Sequence, residues 1–196
     1  MERSQVPEFH FIAPIANVGS ILKHGILSHN RAARLSHLDI SMPDIQQRRA
    51  QKRVFGGLAL HDYANLYFNG RNKMMAKKRP QHAELCILRV VPDVLDLPGA
   101  VIADRNASMA YVLFLESPAG LKKLSYEEVF VRSWICPGDE FRQRRLGGAV
   151  CAELLIPHKI DSKFIFGAYV NGQLSLSKFQ GVCPSLPCAI NSDIFL

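Results

Sequence analysis

In Gly148-Ala149-Val150-Cys151-Ala152-Glu153-Leu154-Leu155-Ile156-Pro157 an apolar run carries a single carboxylate. Residues of both parities are apolar, and a proline closes the run, so it reads as a short strand in the interior of a sheet. Glu153 falls in the middle of that strand, on the face shared by Cys151 and Leu155. A carboxylate in such a place is costly unless it is paired or faces a cleft. Two readings stand: an edge strand whose glutamate meets water or an arginine, and a catalytic carboxylate on the floor of a site. The second needs partners from the rest of the chain.

The 196 residues, 48% of them hydrophobic, suffice for one domain with a sizeable core. No apolar run approaches the roughly 18 residues that span a bilayer, and the N-terminus shows no signal-peptide pattern. The five cysteines have no paired metal spacing and read as free thiols in a reducing cytoplasm; Cys183 and Cys188 enclose a short proline-bearing segment. A formal net charge of +7 favours an anionic partner, nucleic acid first and a phosphate-bearing cofactor second.

Outward from the first stretch, the charged run from Asp139 to Arg145 holds Arg142, Arg144 and Arg145 just upstream. Downstream, Phe164 to Val170 is a clear strand, Asn171-Gly172 a turn, Leu174 to Phe179 a terminal strand or short helix, and the tail from Gly181 irregular. Leu85 to Val91 is another strand. Gly99 to Ala103 leads into Asp104-Arg105-Asn106-Ala107, a site loop or a helix cap. Phe114, Leu115, Leu121 and Leu124 punctuate weakly helical segments, and Trp134 is expected in the core.

Near the N-terminus, Glu8-Phe9-His10-Phe11-Ile12 alternates as a first strand, with His10 either a core histidine bonded to backbone or a ligand contact. Ile15, Val18, Ile21 and Leu22 make a helical stripe that Gly25 stops, with Asn17 as a cap or early polar position. There is no glycine-rich phosphate loop and no Rossmann fingerprint. Residues 28–57 are polar and weakly periodic, with a short basic helix from Asp44 to Arg53 that Val54 to Gly57 ends. Such an arm lies on the surface or folds over a ligand. Leu66-Tyr67-Phe68 reads as a strand and Asn69-Gly70-Arg71-Asn72 as a turn. His61 and Asp62 lack partners at metal-like spacing, so no metal is expected; Tyr63, Tyr67 and Asn69 suit the polar lining of a pocket.

Taken in order, Phe9-His10-Phe11, Ile21-Leu22-Lys23-His24-Gly25-Ile26-Leu27, Ile45-Gln46-Gln47-Arg48-Arg49, Leu60-His61-Asp62-Tyr63, Leu66 to Met74, Asp104-Arg105-Asn106-Ala107 and Ala152-Glu153-Leu154-Leu155 resemble the DarT family, the DNA ADP-ribosyltransferase toxins of DarT–DarG toxin–antitoxin systems. The resemblance runs from about residue 8 to 170. It implies a mixed α+β ADP-ribosyltransferase-like fold, one domain over residues 1–196, with a split central β-sheet clasping NAD and residues 28–53 as an arm over cofactor and substrate. It further implies transfer of ADP-ribose from NAD, without a metal, onto a base of single-stranded DNA: thymidine in one branch, guanosine in another. The implied partner is a macrodomain antitoxin, DarG; a cytoplasmic monomer with no membrane association is expected.

By the same resemblance Glu153 and Arg49 are the catalytic pair. Cofactor contacts are expected from His10, Phe11, Asn17, Leu27 and Tyr67, and DNA contacts from Arg48, Arg53, Asn69, Arg71, Met74, Asn106, Arg144 and Arg145. His61, Asp62 and Tyr63 fall on a box beneath the site. The sequence departs from the family pattern in Cys151 where glutamine is usual, in Lys73 where proline usually follows the Arg-Asn pair, and in Leu124-Ser125-Tyr126 where Asp-Trp is usual. These departures bear on the acceptor base more than on the reaction. The chemistry suits the residues: breaking the nicotinamide–ribose bond builds positive charge that a carboxylate stabilises, and an arginine fork positions base or pyrophosphate. Two alternatives are an NAD-dependent transferase acting on RNA, tRNA or protein, and a catalytically silent basic nucleic-acid-binding module.

Overall fold

Residues 1–54 and 56–196 are described in a computed structural model; Phe55, within the segment expected to end the arm's helix, lies outside the described residues. The strands are β1 Phe9–Pro14, β2 Ile26–Leu27, β3 Tyr63–Tyr67, β4 Leu85–Val90, β5 Val101–Ala103, β6 Phe114–Glu116, β7 Glu153–Pro157, β8 Lys159–Ile160, β9 Ile165–Val170 and β10 Cys188–Ile190. The α-helices are α1 Val18–His24, α2 His29–Ala32, α3 Pro43–Ala50, α4 Lys73–Lys77, α5 Tyr126–Val129, α6 Glu140–Ala149 and α7 Gln173–Val182. Among the described residues one sheet runs in the order β10-β9-β4-β1-β3-β7-β5-β6, and β2 pairs with β8 in a small second sheet.

That order makes β4 and β7 interior strands, which is why both are apolar at residues of either parity. Ala64, Leu66, Leu88, Leu154 and Ile156 point to the main core, with Val18 of α1 and Phe179 of α7. Ile12, Tyr67, Ile87 and Phe195 form a smaller cluster, and Leu60, Tyr63, Ala103 and Leu155 a third. The sheet is split at one seam. β1 and β3 share a single registered pair, His10 with Tyr67, whereas β1 and β4 are paired from Phe9–Val90 through Pro14–Leu85. Past that one pair the strands part, and Phe11 to Pro14 on one side and Asn65 on the other line a cavity.

Gly25 stops α1 as the sequence predicts, at φ 87°. A Cβ there would stand 2.4 Å from the carbonyl oxygen of Ile160, so only glycine lets the chain pass this close to β8 before entering β2.

Four expectations change. The run from Gly148 is not all strand: Asp139 caps α6 by accepting from the Arg142 N–H at 2.8 Å, and the helix continues through Ala149. Glu153 is therefore the first residue of β7, not its middle; an apolar run alone does not separate the end of a helix from the start of a strand. Phe114 and Leu115 belong to the edge strand β6, not to a helix. The tail is not irregular throughout. After Pro184 and Pro187 turn the chain, Cys188–Ile190 adds a strand parallel to β9, and Phe195 is buried. Trp134 is only half-buried and stands against Gly147, outside the buried clusters. No helix among the described residues is long and apolar enough to cross a membrane.

Candidate active site

The turn that links α6 to β7 delivers Glu153 to the sheet between Tyr67 of β3 and Ala103 of β5. Its side chain is fully buried. One carboxylate oxygen, Oε2, accepts from Arg49 Nη1 at 3.0 Å, and the other, Oε1, accepts from the Ala107 N–H at 3.3 Å. Both oxygens are thus satisfied, and the charge has a partner that is itself buried, which is how an ionised group is tolerated at this depth.

Arg49 comes from the arm. It is the buried residue of α3, a mostly polar helix whose one large apolar residue, Ile45, is half-buried. The arm is held by polar contacts: Gln46 Oε1 lies 2.9 Å from His61 Nε2, the rings of His29 and His61 lie 4.2 Å apart between centroids and tilted by 32°, and Asn30 donates to Asp62 at 2.7 Å. Asn17 clamps the backbone of Leu38 by donating to its carbonyl at 2.9 Å and accepting its N–H at 3.0 Å. The box of His61 and Asp62 therefore fastens the arm to the body.

Between arm and sheet lies a cavity of about 640 Å³. Phe11, Leu27, Tyr67, Met74, Asn106, Arg144 and Arg145 line it together with Arg49, while Glu153, bonded to Arg49, does not itself reach the lining. Asn17 also reaches the wall, although its amide is engaged by Leu38. Burial, and then the charge of Glu153, hold the Tyr67 hydroxyl well above its ordinary value, so it stays a neutral donor, resting 3.5 Å from Met74 Sδ. Burial pushes the Cys151 thiol up to about 11, against the pull of Lys73. Cys151 and Lys73, the two departures from the family pattern nearest the carboxylate, thus sit together in the lining of the cavity.

Other expected contacts stand elsewhere. His10 lies at the seam, where Nε2 is 3.0 Å from Glu8 Oε1; it is bonded to a side chain rather than to backbone, and it does not line the cavity. Glu8 also binds Arg89 at 2.7 Å; burial raises its carboxyl, but the bonds to His10 and Arg89 outweigh that and leave it low. Arg48 is exposed and pairs with Asp44 one turn earlier at 3.3 Å. Arg53 donates to the Gly57 carbonyl at 3.3 Å. Asn69 is buried, donating to the Val129 carbonyl at 2.9 Å. Arg71 donates to the carbonyls of Arg132 and Asp193 and so ties the tail to the end of β3. These side chains are held by local partners, which keeps them from the cavity wall. Conversely, Lys73, Lys77, Arg105 and Ser108 line it without having been singled out as contacts. The Ala107 N–H shows in the sequence only as part of the polar corner from Asp104 to Ala107, because a backbone donor leaves no side-chain signature. Among the described residues no three metal-ligating side chains come together.

The family model described as "ssDNA thymidine ADP-ribosyltransferase, DarT" matches residues 9–193, nearly the whole chain. The chain belongs to the DarT family. The match takes in the tail, beyond the limit near residue 170 that the sequence pieces suggest. A DNA ADP-ribosyl transferase–DNA ADP-ribosyl glycohydrolase fusion protein of Thermosipho africanus is 29% identical over 172 residues; these are 84% of this chain but 42% of that relative, so the chain spans less than half of the fusion's length. Two solved structures share the DarT fold. DarT of Thermus sp. 2.9 in complex with ADP-ribosylated ssDNA superposes with a TM-score of 0.84 at 21% identity, covering 98% of this chain and 97% of that one. The same Thermus protein in complex with NAD+ gives 0.76 at 20%, covering 97% and 98%. The ADP-ribosyltransferase-like fold with its split sheet is thereby the fold of this DarT-family chain.

Proposed function

We propose that the chain transfers ADP-ribose from NAD to a thymidine base in single-stranded DNA. The observation that carries this is Glu153: a fully buried carboxylate, bonded by Arg49 and the Ala107 N–H, beneath a basic-rimmed cavity in a DarT-family chain. The cavity suits NAD in volume and lining. Phe11, Leu27 and Tyr67 offer apolar and aromatic surface to a flat ring, and the cations among the lining residues suit phosphates, those of the cofactor and those of the DNA strand.

In the reaction the bond between nicotinamide and ribose breaks, nicotinamide leaves neutral, and the anomeric carbon takes positive charge. Glu153 hydrogen-bonds the ribose hydroxyls and stabilises that charge as it develops. A nitrogen of the base then bonds to the anomeric carbon and gives up its proton, which Glu153 receives. Arg49 holds Glu153 in place and orients the incoming group with its fixed donor fork. Because Glu153 is covered by Arg49 in the structure, substrate entry moves α3; residues 28–53 then act as a cover over cofactor and substrate. A single strand is the natural acceptor, since its base enters a pocket without unpairing. In the cell this activity is that of a toxin, opposed by a macrodomain antitoxin of the DarG kind.

The test is nicotinamide release from NAD with a thymidine-containing single strand, the matching duplex, RNA and a protein mixture. The single strand should stimulate release most. Equal stimulation by RNA or protein would count against a DNA acceptor.

A further inference from the structure

The loop that follows β5 places a second polar side chain beside Glu153 that the scheme above leaves without a role. Ser108 is 3% exposed, and its Oγ has no hydrogen-bond partner among the described residues. Everything around it is engaged. The Ala107 N–H goes to Glu153, the Ser108 N–H donates to Asn106 Oδ1 at 2.9 Å, and Lys52 Nζ donates to the carbonyls of Ala107, at 3.4 Å, and Met109. The backbone of the loop is therefore fixed from both sides while the hydroxyl is left over. A buried hydroxyl without a partner destabilises a fold, and alanine would fill the same space without that cost.

Ser108 lines the cavity, as do Arg105 of the same loop and Arg144 and Arg145 of α6. A nucleic-acid strand follows the cations, so the acceptor base arrives past Ser108 and must come close to Glu153, where the anomeric carbon is held. A serine hydroxyl donates, and the pairing edge of thymine carries a carbonyl on either side of the N–H that reacts, so the hydroxyl can hold a carbonyl and leave that nitrogen free. We propose that Ser108 is a specificity-determining residue whose Oγ hydrogen-bonds the pairing edge of the acceptor pyrimidine and fixes it against the ribose carbon above Glu153. This rests on the DNA-transfer reading.

The experiment compares the full chain with Ser108→Ala and Ser108→Thr. Ser108→Ala should bind NAD as the wild type does in a calorimetric titration, and should unfold at the same or a higher temperature, since it removes an orphaned hydroxyl. Its kcat/KM for transfer to a thymidine oligonucleotide should fall by about 10-fold or more, with weakened preference among the four bases; threonine, which keeps the hydroxyl, should recover most of it. Undiminished transfer by Ser108→Ala would overturn the inference. So would a fall in thermal stability or an equal weakening of NAD binding, which would make the hydroxyl structural or a cofactor contact. If the wild type labels no DNA base, the reading beneath fails first and takes this inference with it; that result appears before any substitution is made.

Discussion

Glu153 has two carboxylate oxygens and two partners, and only one of those partners was visible in the sequence. Glu153 and Arg49 lie 104 residues apart, and their resemblance to the family's catalytic residues named both. The Ala107 N–H was legible only as part of a polar corner after a short strand. Replacing Glu153 with Gln keeps the shape and removes the charge, leaving the Arg49 guanidinium buried without a counter-charge. The expected outcome is a loss of about 3–5 kcal/mol of stability, seen as a lower unfolding temperature, with NAD binding largely kept. Single-turnover transfer should drop by about 100-fold or more, because a group acting mainly in the transition state is lost. Full-rate transfer by Glu153→Gln would remove the carboxylate from the mechanism.

At the scale of the element, the arm is the part whose placement the sequence could least specify. Its low apolar content announced an element that does not dock by hydrophobic burial, and α3 indeed docks through Arg49 and Gln46. Which surface it would meet was not encoded in any periodicity. His61 shows how that docking responds to pH. Its imidazole is held below the ordinary 6.5, first by burial and then by the charges of His29 and Arg49, against opposing pulls from Gln46 and Asp62. An undocked His61 thus takes up a proton at higher pH than a docked one. Docking is at full strength above about pH 6.5 and weakens as pH falls through and below it. Limited proteolysis within residues 28–53, normalised to a flexible peptide, should accelerate from neutral to mildly acid pH. The acceleration should be smaller in His61→Gln; an identical pH response in that variant would place the switch elsewhere.

Across the whole molecule, the strands with the strongest apolar signal, Leu85 to Val91 and Phe164 to Val170, were found within a residue of their expected ends, because interior strands must be apolar on both faces. Short edge strands carry no such demand, and β6 and β10 were missed for that reason. The seam at His10 and Tyr67, which opens the cavity, is a property of pairing between distant strands and has no local signature. Likewise Asn69 and Arg71 are polar residues at the end of β3, as expected, but the return of the tail turns Arg71 to holding the Asp193 carbonyl. What the assembled cavity does is tested most directly by mass spectrometry of nucleosides after incubating labelled NAD with single-stranded DNA, duplex DNA, RNA and protein. ADP-ribosylated thymidine from the single strand, and none with Glu153→Gln, is the predicted result; label confined to RNA or protein, or undiminished in Glu153→Gln, would contradict it.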